Sequence, residues 1–341
     1  MNDPGTAIIR NQHLLEACLK DAGAAVPPAE FCAIVSSYFH AVEARYYDSF
    51  HGEIFASATE ARWHEALDAA GRYLGSGLRV LDIGCGTGFE AGVVIDHLGP
   101  GRIEAIVCAD PSRDMLAACE RKLAAFGVEK AFLCADVSGV PRGGGGFNLI
   151  VTNSVVHHVF ELPEFFARID ELAAPGALYV TGHEPAAAYY TNDAMLWWNR
   201  LFNRSRRVRL NLSGRRLARR LAAAAAGLRP RQPGITEIVN EQLLRHRHAS
   251  KPLPANAIRK LVDIHVPLSS GDYPWGEPGF SPESVVRDHL PGWTAAFSRT
   301  YHHIKAPSTS LSALWRAIGR RLERRYPACG SDIIMAFVKT R

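Results

Sequence analysis

A glycine-rich segment is the clearest place in this sequence where residue type and spacing could do chemistry. The apolar run Val80-Leu-Asp-Ile leads into Gly-Cys-Gly-Thr-Gly88. Glycines let a backbone turn tightly and approach a ligand closely. The spacing is GxGxG rather than the dinucleotide fingerprint GxGxxG, and Phe89 stands where the last glycine of that fingerprint would be. The segment therefore indicates a ligand-binding loop of another type, with a simple turn as the alternative.

Two carboxylates follow the loop at the ends of later apolar runs. Asp110 lies 22 residues after Gly88, where a carboxylate can accept hydrogen bonds from both hydroxyls of a ribose. Its alternative role is to cap a helix that begins after Pro111. Asp136 ends a third run and could accept from an exocyclic adenine amine, with Val137 against the ring; its alternative is a turn residue. Together with the glycine loop, the two acids predict a site for an adenosyl ligand.

Candidates for acid–base chemistry follow the next two apolar strands. His157 and His158 come after the first of these strands, and His183 and Glu184 come after the second. Histidine titrates near neutrality, so one of them could take a proton from a phenol or an amine. The alternatives are histidines that cap or pack the loop and a glutamate that forms a turn.

The cysteines and the remaining histidines do not suggest a metal site. The seven cysteines are scattered and none forms a CxxC pair, which favours reduced thiols in a cytoplasmic protein. His246-Arg-His248 has no further ligands at metal-site spacing. We therefore expect no bound metal.

Short apolar strands alternate with helices around these residues. The pattern predicts strands at 78–83, 103–109, 131–134, 147–152 and 178–181, with helices at 90–98, 113–126 and 164–172 between them. Two final strands are expected at 293–304 and 333–340, as an antiparallel edge pair interrupted by a helix. Fully apolar strands interleaved with helices indicate a doubly wound, mostly parallel α/β sheet. Residues 1–75 read as helices that cover the ligand, and residues 76–185 as the core that binds it.

A basic insertion separates this core from its last strands. The 341 residues carry a net charge of +5, yet eleven arginines and no acid lie between Arg200 and Arg231, which leaves −6 for the rest. Residues 186–280 therefore read as a helical cap, with a helix at 215–226, and residues 281–341 as the elements that complete the sheet. A solvated face, a site for an anionic or carrier-bound acceptor, and a membrane surface all remain open for the arginines. Nucleic acid is disfavoured because we find no RNA-binding module.

The glycine loop, the two acids and Phe147-Asn-Leu-Ile-Val-Thr-Asn-Ser-Val-Val-His-His158 together resemble the class I S-adenosylmethionine-dependent methyltransferases. The last stretch is similar to members that methylate small molecules, such as those of quinone biosynthesis. The resemblance implies a seven-stranded sheet with the methyl donor at the carboxyl ends of the strands. It also implies donor contacts from Tyr47, Asp82, Gly84, Cys85, Gly86, Asp110, Pro111, Met115, Asp136, Val137, Asn153 and Ser154. Tyr47 could equally belong to an ordinary amphipathic helix.

This resemblance favours an enzyme that methylates an O, N or activated C atom of a small molecule. One alternative is a non-catalytic scaffold that keeps the donor fold and binds a partner through its basic face. Another is a donor-using enzyme that acts on a lipid, a carrier-bound group or a nucleic acid. No apolar run is long enough to span a bilayer, whereas peripheral membrane contact stays open. The sequence leaves the oligomeric state undetermined.

Overall fold

A seven-stranded sheet forms the centre of the molecule. The computed structural model describes residues 12–44, 57–212, 234–266, 279–306 and 311–340. Its strands are β1 (Leu78–Ile83), β2 (Ile103–Ala109), β3 (Glu129–Leu133), β4 (Phe147–Asn153), β5 (Ala173–Pro185), β6 (Trp293–Tyr301) and β7 (Asp332–Lys339). The strand order is β3-β2-β1-β4-β5-β7-β6, with β1 to β5 parallel and β7 antiparallel to both of its neighbours. The expected doubly wound, mostly parallel sheet is confirmed, including the antiparallel pair at its edge.

Helices connect and cover these strands. In chain order they are α1 (Gln12–Ala22), α2 (Pro28–Glu43), α3 (Ser57–Ala70), α4 (Phe89–Leu98), α5 (Arg113–Leu123), α6 (Leu162–Leu172), α7 (Ala187–Tyr190), α8 (Asp193–Leu212), α9 (Ile235–Arg245), α10 (Ala255–Val262), α11 (Pro282–Asp288) and α12 (Ala313–Arg325). Within the described ranges, no helix is long and apolar enough to cross a membrane.

Both faces of the sheet are buried, which explains why its central strands are almost wholly apolar. On one face, Trp63 of α3 and Val94 of α4 pack against strand residues such as Val80. On the other face, Phe166 of α6 packs with residues that include Tyr179 of β5. Because β1 to β5 are parallel, their carboxyl ends share one edge of the sheet, and the loops that follow them lie there.

The longest strand differs most from its sequence prediction. β5 covers 13 residues, whereas the sequence pattern predicts a strand only at 178–181. The predicted strand ends early because Gly182, His183 and Pro185 are poor strand residues. The pairing of β5 with β7 shifts register between Thr181 and Glu184, and His183 has a left-handed φ of 54° there. The strand therefore continues beyond these residues because its pairing contains a local irregularity, which accommodates them.

A helical subdomain joins the start of the chain to the insertion. Phe31 and Val35 of α2 are fully buried against Val239 and Leu243 of α9, in a cluster that also includes residues of α1 and α10. By contrast, α3 packs on the sheet. The domain boundaries expected at 75 and 186 stay predictions, but these contacts place α2 and α9 in one packing unit.

Helix α8 of the insertion packs away from this subdomain. Phe202 of α8 contacts Trp315 of α12, with a ring-centroid distance of 5.1 Å. The described arginines of these two helices are exposed at 200, 204, 206, 316, 320, 321, 324 and 325. The helix predicted at 215–226 and most of the arginine-rich stretch lie outside the described residues.

Candidate functional site

A cavity of about 890 Å³ opens at the carboxyl ends of β1, β2 and β4. Nine of the predicted donor contacts line it: Gly84, Gly86, Asp110, Pro111, Met115, Asp136, Val137, Asn153 and Ser154. Asp82 and Cys85 are buried beneath the loop, at 0% and 1% exposure, and Tyr47 lies outside the described residues. Residues from separate loops thus meet in one cavity, because the strands before those loops are parallel neighbours.

The glycine loop approaches its neighbours too closely for larger residues. Gly84 has a φ of 67° and Gly88 a φ of 83°, in the left-handed region that residues with a Cβ rarely adopt. A Cβ on Gly84 would lie 2.5 Å from Cγ2 of Val155, and one on Gly88 would lie 2.8 Å from Sγ of Cys119. The loop therefore requires glycine for both conformation and space.

Asp110 holds the glycine loop in place. Its Oδ2 accepts a hydrogen bond from the Gly86 amide at 3.0 Å, and its Oδ1 accepts one from the Ser112 amide at 2.8 Å. Burial raises the pKa of this carboxyl. The helix that follows is capped by Ser112, whose side chain accepts the amide of Met115, so Asp110 does not cap it directly. The remaining lone pairs of the carboxylate can accept bonds from a ligand.

Asp136 has a similar double capacity at the other side of the cavity. Its Oδ1 accepts hydrogen bonds from the amides of Ser138 and Gly139, at 3.0 and 3.2 Å. Among the described residues, its hydrogen bonds all go to Oδ1, which leaves Oδ2 for a ligand amine. Val137 lines the cavity beside it.

Glu184 organises the loop after β4 and does not line the cavity. Its Oε1 accepts the amides of Val155 and Val156, both at 2.9 Å, and its Oε2 accepts the amide of His157 at 3.1 Å. Oε2 also lies 2.7 Å from Nδ1 of His157. Burial alone would lower the pKa of His157, but the adjoining Glu184 carboxylate outweighs it and raises that pKa. These contacts make Glu184 and His157 a buried support for the loop.

His158 is the one predicted acid–base residue that lines the cavity. Its Nδ1 lies 2.8 Å from the carbonyl oxygen of Val262. A carbonyl can only accept, so Nδ1 carries the hydrogen and the neutral ring presents Nε2 as an acceptor. Burial, together with neighbouring His157, lowers the pKa of His158 to about 3. The ring is therefore neutral at physiological pH.

Helix α2 closes the cavity and supplies residues that sequence reasoning missed. Ala33, Ser36, Ser37 and His40 line the cavity from this helix. The ring of His40 lies edge-on to His158, with a centroid distance of 5.3 Å. The sequence pattern that could have identified them is the recurrence of small and polar residues at helical spacing in 28–43. This pattern indicates that the helix has a second face but does not indicate what that face covers.

His183 lies elsewhere on the same edge of the sheet. Its Nδ1 is 3.3 Å from the hydroxyl of Tyr301, and its ring centroid is 6.0 Å from that of His302. Burial lowers the pKa of His183. His183 is thus separate from the cavity that the glycine loop forms.

Part of the sequence that forms this cavity is similar to a known protein family. Residues 80–176 match the family model described as a methyltransferase domain. These residues are therefore similar to methyltransferase domains. The matched residues include the glycine loop, Asp110, Asp136 and His158, which are the cavity-lining features described above.

The curated relatives of this methyltransferase domain have a common name. A ubiquinone biosynthesis O-methyltransferase of Rhizobium johnstonii is 31% identical over 128 residues, covering 36% of this chain and 50% of that protein. The enzyme of the same name from a Caulobacter species is 32% identical over 114 residues, covering 33% and 43%. The chain thus spans about half the length of the curated relatives it matches.

Solved structures resemble this chain more distantly than the curated relatives do. An S-adenosylmethionine-dependent methyltransferase of Mesorhizobium loti is 13% identical, with a TM-score of 0.41, covering 80% of this chain and 96% of its own. The plantazolicin methyltransferase BpumL, in complex with SAH, is 12% identical, with a TM-score of 0.44 and coverages of 96% and 100%. The family assignment rests on the sequence match.

S-adenosylmethionine, the cofactor of this family, fits the residues of the methyltransferase site. A cavity of about 890 Å³ is at the large end of the range for small-molecule sites. Beneath the loop, neither carboxylate oxygen of fully buried Asp82 has a hydrogen-bond partner among the described residues. Burial, with a contribution from Glu90, raises the pKa of Asp82 well above its usual range. The fit therefore rests on the residues that line the cavity, namely the glycine loop and the oxygens that Asp110 and Asp136 still offer a ligand.

Proposed function

We propose that this chain transfers a methyl group from S-adenosylmethionine to a small-molecule acceptor. The observation that carries the proposal is a single cavity shared by the donor loops, helix α2 and the neutral ring of His158. The volume of about 890 Å³ accommodates a donor and a small acceptor together. Holding both in line accounts for much of the rate of a displacement reaction.

The acceptor site in this proposal lies between α2 and the loop after β4. Ser36, Ser37 and His40 from the helix and His158 from the loop line that part of the cavity. An oxygen nucleophile is favoured over nitrogen or carbon, because the curated relatives at modest identity are O-methyltransferases. An anionic or carrier-bound acceptor, bound by the arginines of the insertion, also remains a proposal.

His158 is the residue that we propose to receive the acceptor's hydrogen bond. When bound, S-adenosylmethionine supplies an electrophilic methyl group on a sulfonium. The acceptor hydroxyl donates to Nε2 of His158 while its oxygen attacks. As the new O–C bond forms and the bond from the methyl carbon to sulfur breaks, the acceptor oxygen becomes positive and its proton becomes strongly acidic. A weakly basic imidazole can therefore accept that proton. His157 and Glu184 act through the loop and do not touch the acceptor in this scheme.

Calorimetry and product mass test the proposal. We expect S-adenosylmethionine to release heat on binding and to raise Tm. A panel of phenols, catechols and amines is then incubated with the donor and followed by mass spectrometry. A member that gains one CH₂ while the demethylated donor accumulates supports the proposal. Absence of both heat and a shift in Tm would overturn the proposal and favour the scaffold alternative, and donor binding without any methylated product would count against methyl transfer.

A further inference from the structure

Outside the donor cavity, three side chains of the kind that bind metals meet at the carboxyl-terminal edge of the sheet. His183 lies near the end of β5, His302 follows β6, and Asp332 begins β7. One ligand atom from each residue lies within 4.8 Å of the other two. The strand register explains the meeting, since Asp332 pairs with Pro185 on one side and with Tyr301 on the other. None of the three lines the donor cavity.

The backbone holds both histidines in an unfavourable conformation. His183 has a φ of 54° and His302 a φ of 55°, in the left-handed region that residues with a Cβ seldom occupy. His183 stands at the register shift of β5, and such irregularities redirect side chains and cluster near functional sites. Two such histidines around one carboxylate therefore call for a functional explanation.

The contacts within the cluster bring two ligand atoms together directly. Nδ1 of His302 is 2.9 Å from Oδ2 of Asp332. A divalent ion held by these atoms would take the place of the hydrogen that they share. Nε2 of His302 lies on the other side of the ring, so it is not the atom that would bind this ion.

Surrounding groups resemble the outer partners that hold metal ligands in place. The hydroxyl of Ser331 donates to Oδ2 of Asp332 at 2.7 Å, and the hydroxyl of Tyr301 lies 3.3 Å from Nδ1 of His183. The His302 and Asp332 side chains are 11% and 14% exposed.

The ligand types select among ions. Two imidazoles and one carboxylate suit zinc, cobalt or ferrous ions, whereas calcium and magnesium require more oxygen ligands. The positive charge of the Lys305 ammonium helps to lower the pKa of Asp332. The same charge repels a metal cation, which disfavours an ion held by charge alone. That ammonium is engaged by the hydroxyl of Tyr190 at 2.7 Å. Nitrogen donors must therefore supply most of the affinity.

We propose that His183, His302 and Asp332 bind a divalent transition-metal ion at this edge of the sheet. Three protein ligands leave coordination positions for water or for an oxygen of a bound molecule. The site is independent of the proposed methyl transfer and of donor binding. It also departs from the absence of metal that the sequence led us to expect. Ligands so far apart in the chain form no spacing motif.

Cobalt spectroscopy on the full chain without an affinity tag tests this site. After treatment with a chelator, the protein is titrated with Co²⁺ and, in a separate calorimetric experiment, with Zn²⁺. We expect one ion per chain and visible cobalt absorption bands from a site with nitrogen ligands. His302→Ala and Asp332→Asn should each lower the affinity at least about tenfold. Circular dichroism and Tm of the metal-free variants show whether they fold.

A surface histidine pair provides the matched control. His64 and His97 have their Nδ1 atoms 2.9 Å apart, with Asp68 close to His97. His97→Ala should leave cobalt binding unchanged. If His302→Ala does not fold, His183→Gln replaces it. Wild-type protein that binds neither ion, or folded ligand variants that bind as tightly as wild type, would overturn the proposal. Heat from S-adenosylmethionine, measured in parallel, reports on the proposed function separately.

Discussion

Asp110 accepts hydrogen bonds from the amides of Gly86 and Ser112 while it faces the cavity. One carboxylate therefore fixes the glycine loop and keeps further lone pairs for a ligand, which in our proposal is the donor. His158 combines two roles in the same way, because its Nδ1 is fixed by Val262 while Nε2 stays available. At both residues, bonds to the protein determine which atom a ligand can use.

Replacing Asp110 should weaken donor binding. Asp110→Ala removes the ligand-facing oxygens and releases the Gly86 amide, so we expect a loss of about 1–3 kcal/mol in binding of S-adenosylmethionine. Calorimetric titration measures it. The control is Asp114→Ala, which replaces an exposed acid in the first turn of α5. This variant should bind the donor normally. Equal affinity in both variants would contradict our placement of the ribose.

Replacing His158 should affect turnover more than donor affinity. We expect His158→Gln to lower kcat by about 10²–10⁴-fold, the range for a lost proton acceptor, with the donor Kd unchanged. Because burial lowers the pKa of His158 to about 3, the ring stays neutral between about pH 5 and 8. The kcat of wild type should therefore show no loss of rate from this histidine as pH falls through 6.5.

The surface histidine variant His97→Gln serves as the control for that experiment. Two results would count against the role of His158: wild-type kcat in the Gln variant, or a wild-type rate that falls near pH 6.5 and a Gln variant whose rate does not. The first would make the ring a packing residue, and the second would mean that its protonation is not suppressed by burial.

At the scale of elements, the loop after β4 depends on a residue of β5. Glu184 accepts three successive amides, from Val155 to His157, and pairs with the imidazole of His157. Strand β5 thereby positions the segment that carries Ser154 and His158 on the cavity wall. The loop's conformation is a property of two strands together.

Breaking this buried arrangement should be costly. Glu184→Gln removes the charge and leaves a buried pair incomplete, so the free energy of unfolding should fall by about 3–5 kcal/mol. Urea denaturation measures it. Glu171→Gln removes an exposed partner of Arg168 and should cost at most about 1 kcal/mol. A loss at Glu184 no larger than at Glu171 would show that the loop does not need the carboxylate.

Across the whole molecule, the cavity is closed by a helix whose support comes from a remote part of the chain. Helix α2 lines the cavity on one face and packs against α9 and α10 on another. The described part of the insertion therefore contributes to the site without lining it. The exposed arginines of α8, in the insertion, and of α12, which follows it in the chain, belong to a different packing unit around Trp315.

A substitution in α9 should therefore loosen α2. Leu243→Ala, at a fully buried position, should lower the free energy of unfolding by about 2–5 kcal/mol. The amide hydrogens of residues 28–43 should exchange faster, because α2 loses packing there. This exchange should occur through local opening that costs much less free energy than global unfolding. The matched control is Leu322→Ala in the cluster around Trp315, which should leave α2 protected. Equal exchange of α2 in the two variants would contradict the coupling.

The sequence by itself determined the sheet and the meeting of the glycine loop with the two acids in one cavity. Apolar strands alternating with helices, the glycine spacing and the acids at strand ends are local patterns. Parallel pairing then brings the ends of neighbouring strands together. The pattern of residues along the chain is therefore enough to predict that Gly84, Asp110 and Asp136 lie at one edge of the sheet.

Only the tertiary structure decided the rest of the site. The partners of Glu184, the neutral state of His158, the closure by α2 and the meeting of His183 with Asp332 all join residues far apart in the chain. Burial and long-range packing determine such contacts, and neither is encoded in the spacing of neighbouring residues. Four candidates for acid–base chemistry look alike in sequence, because their difference lies in what each side chain contacts after folding.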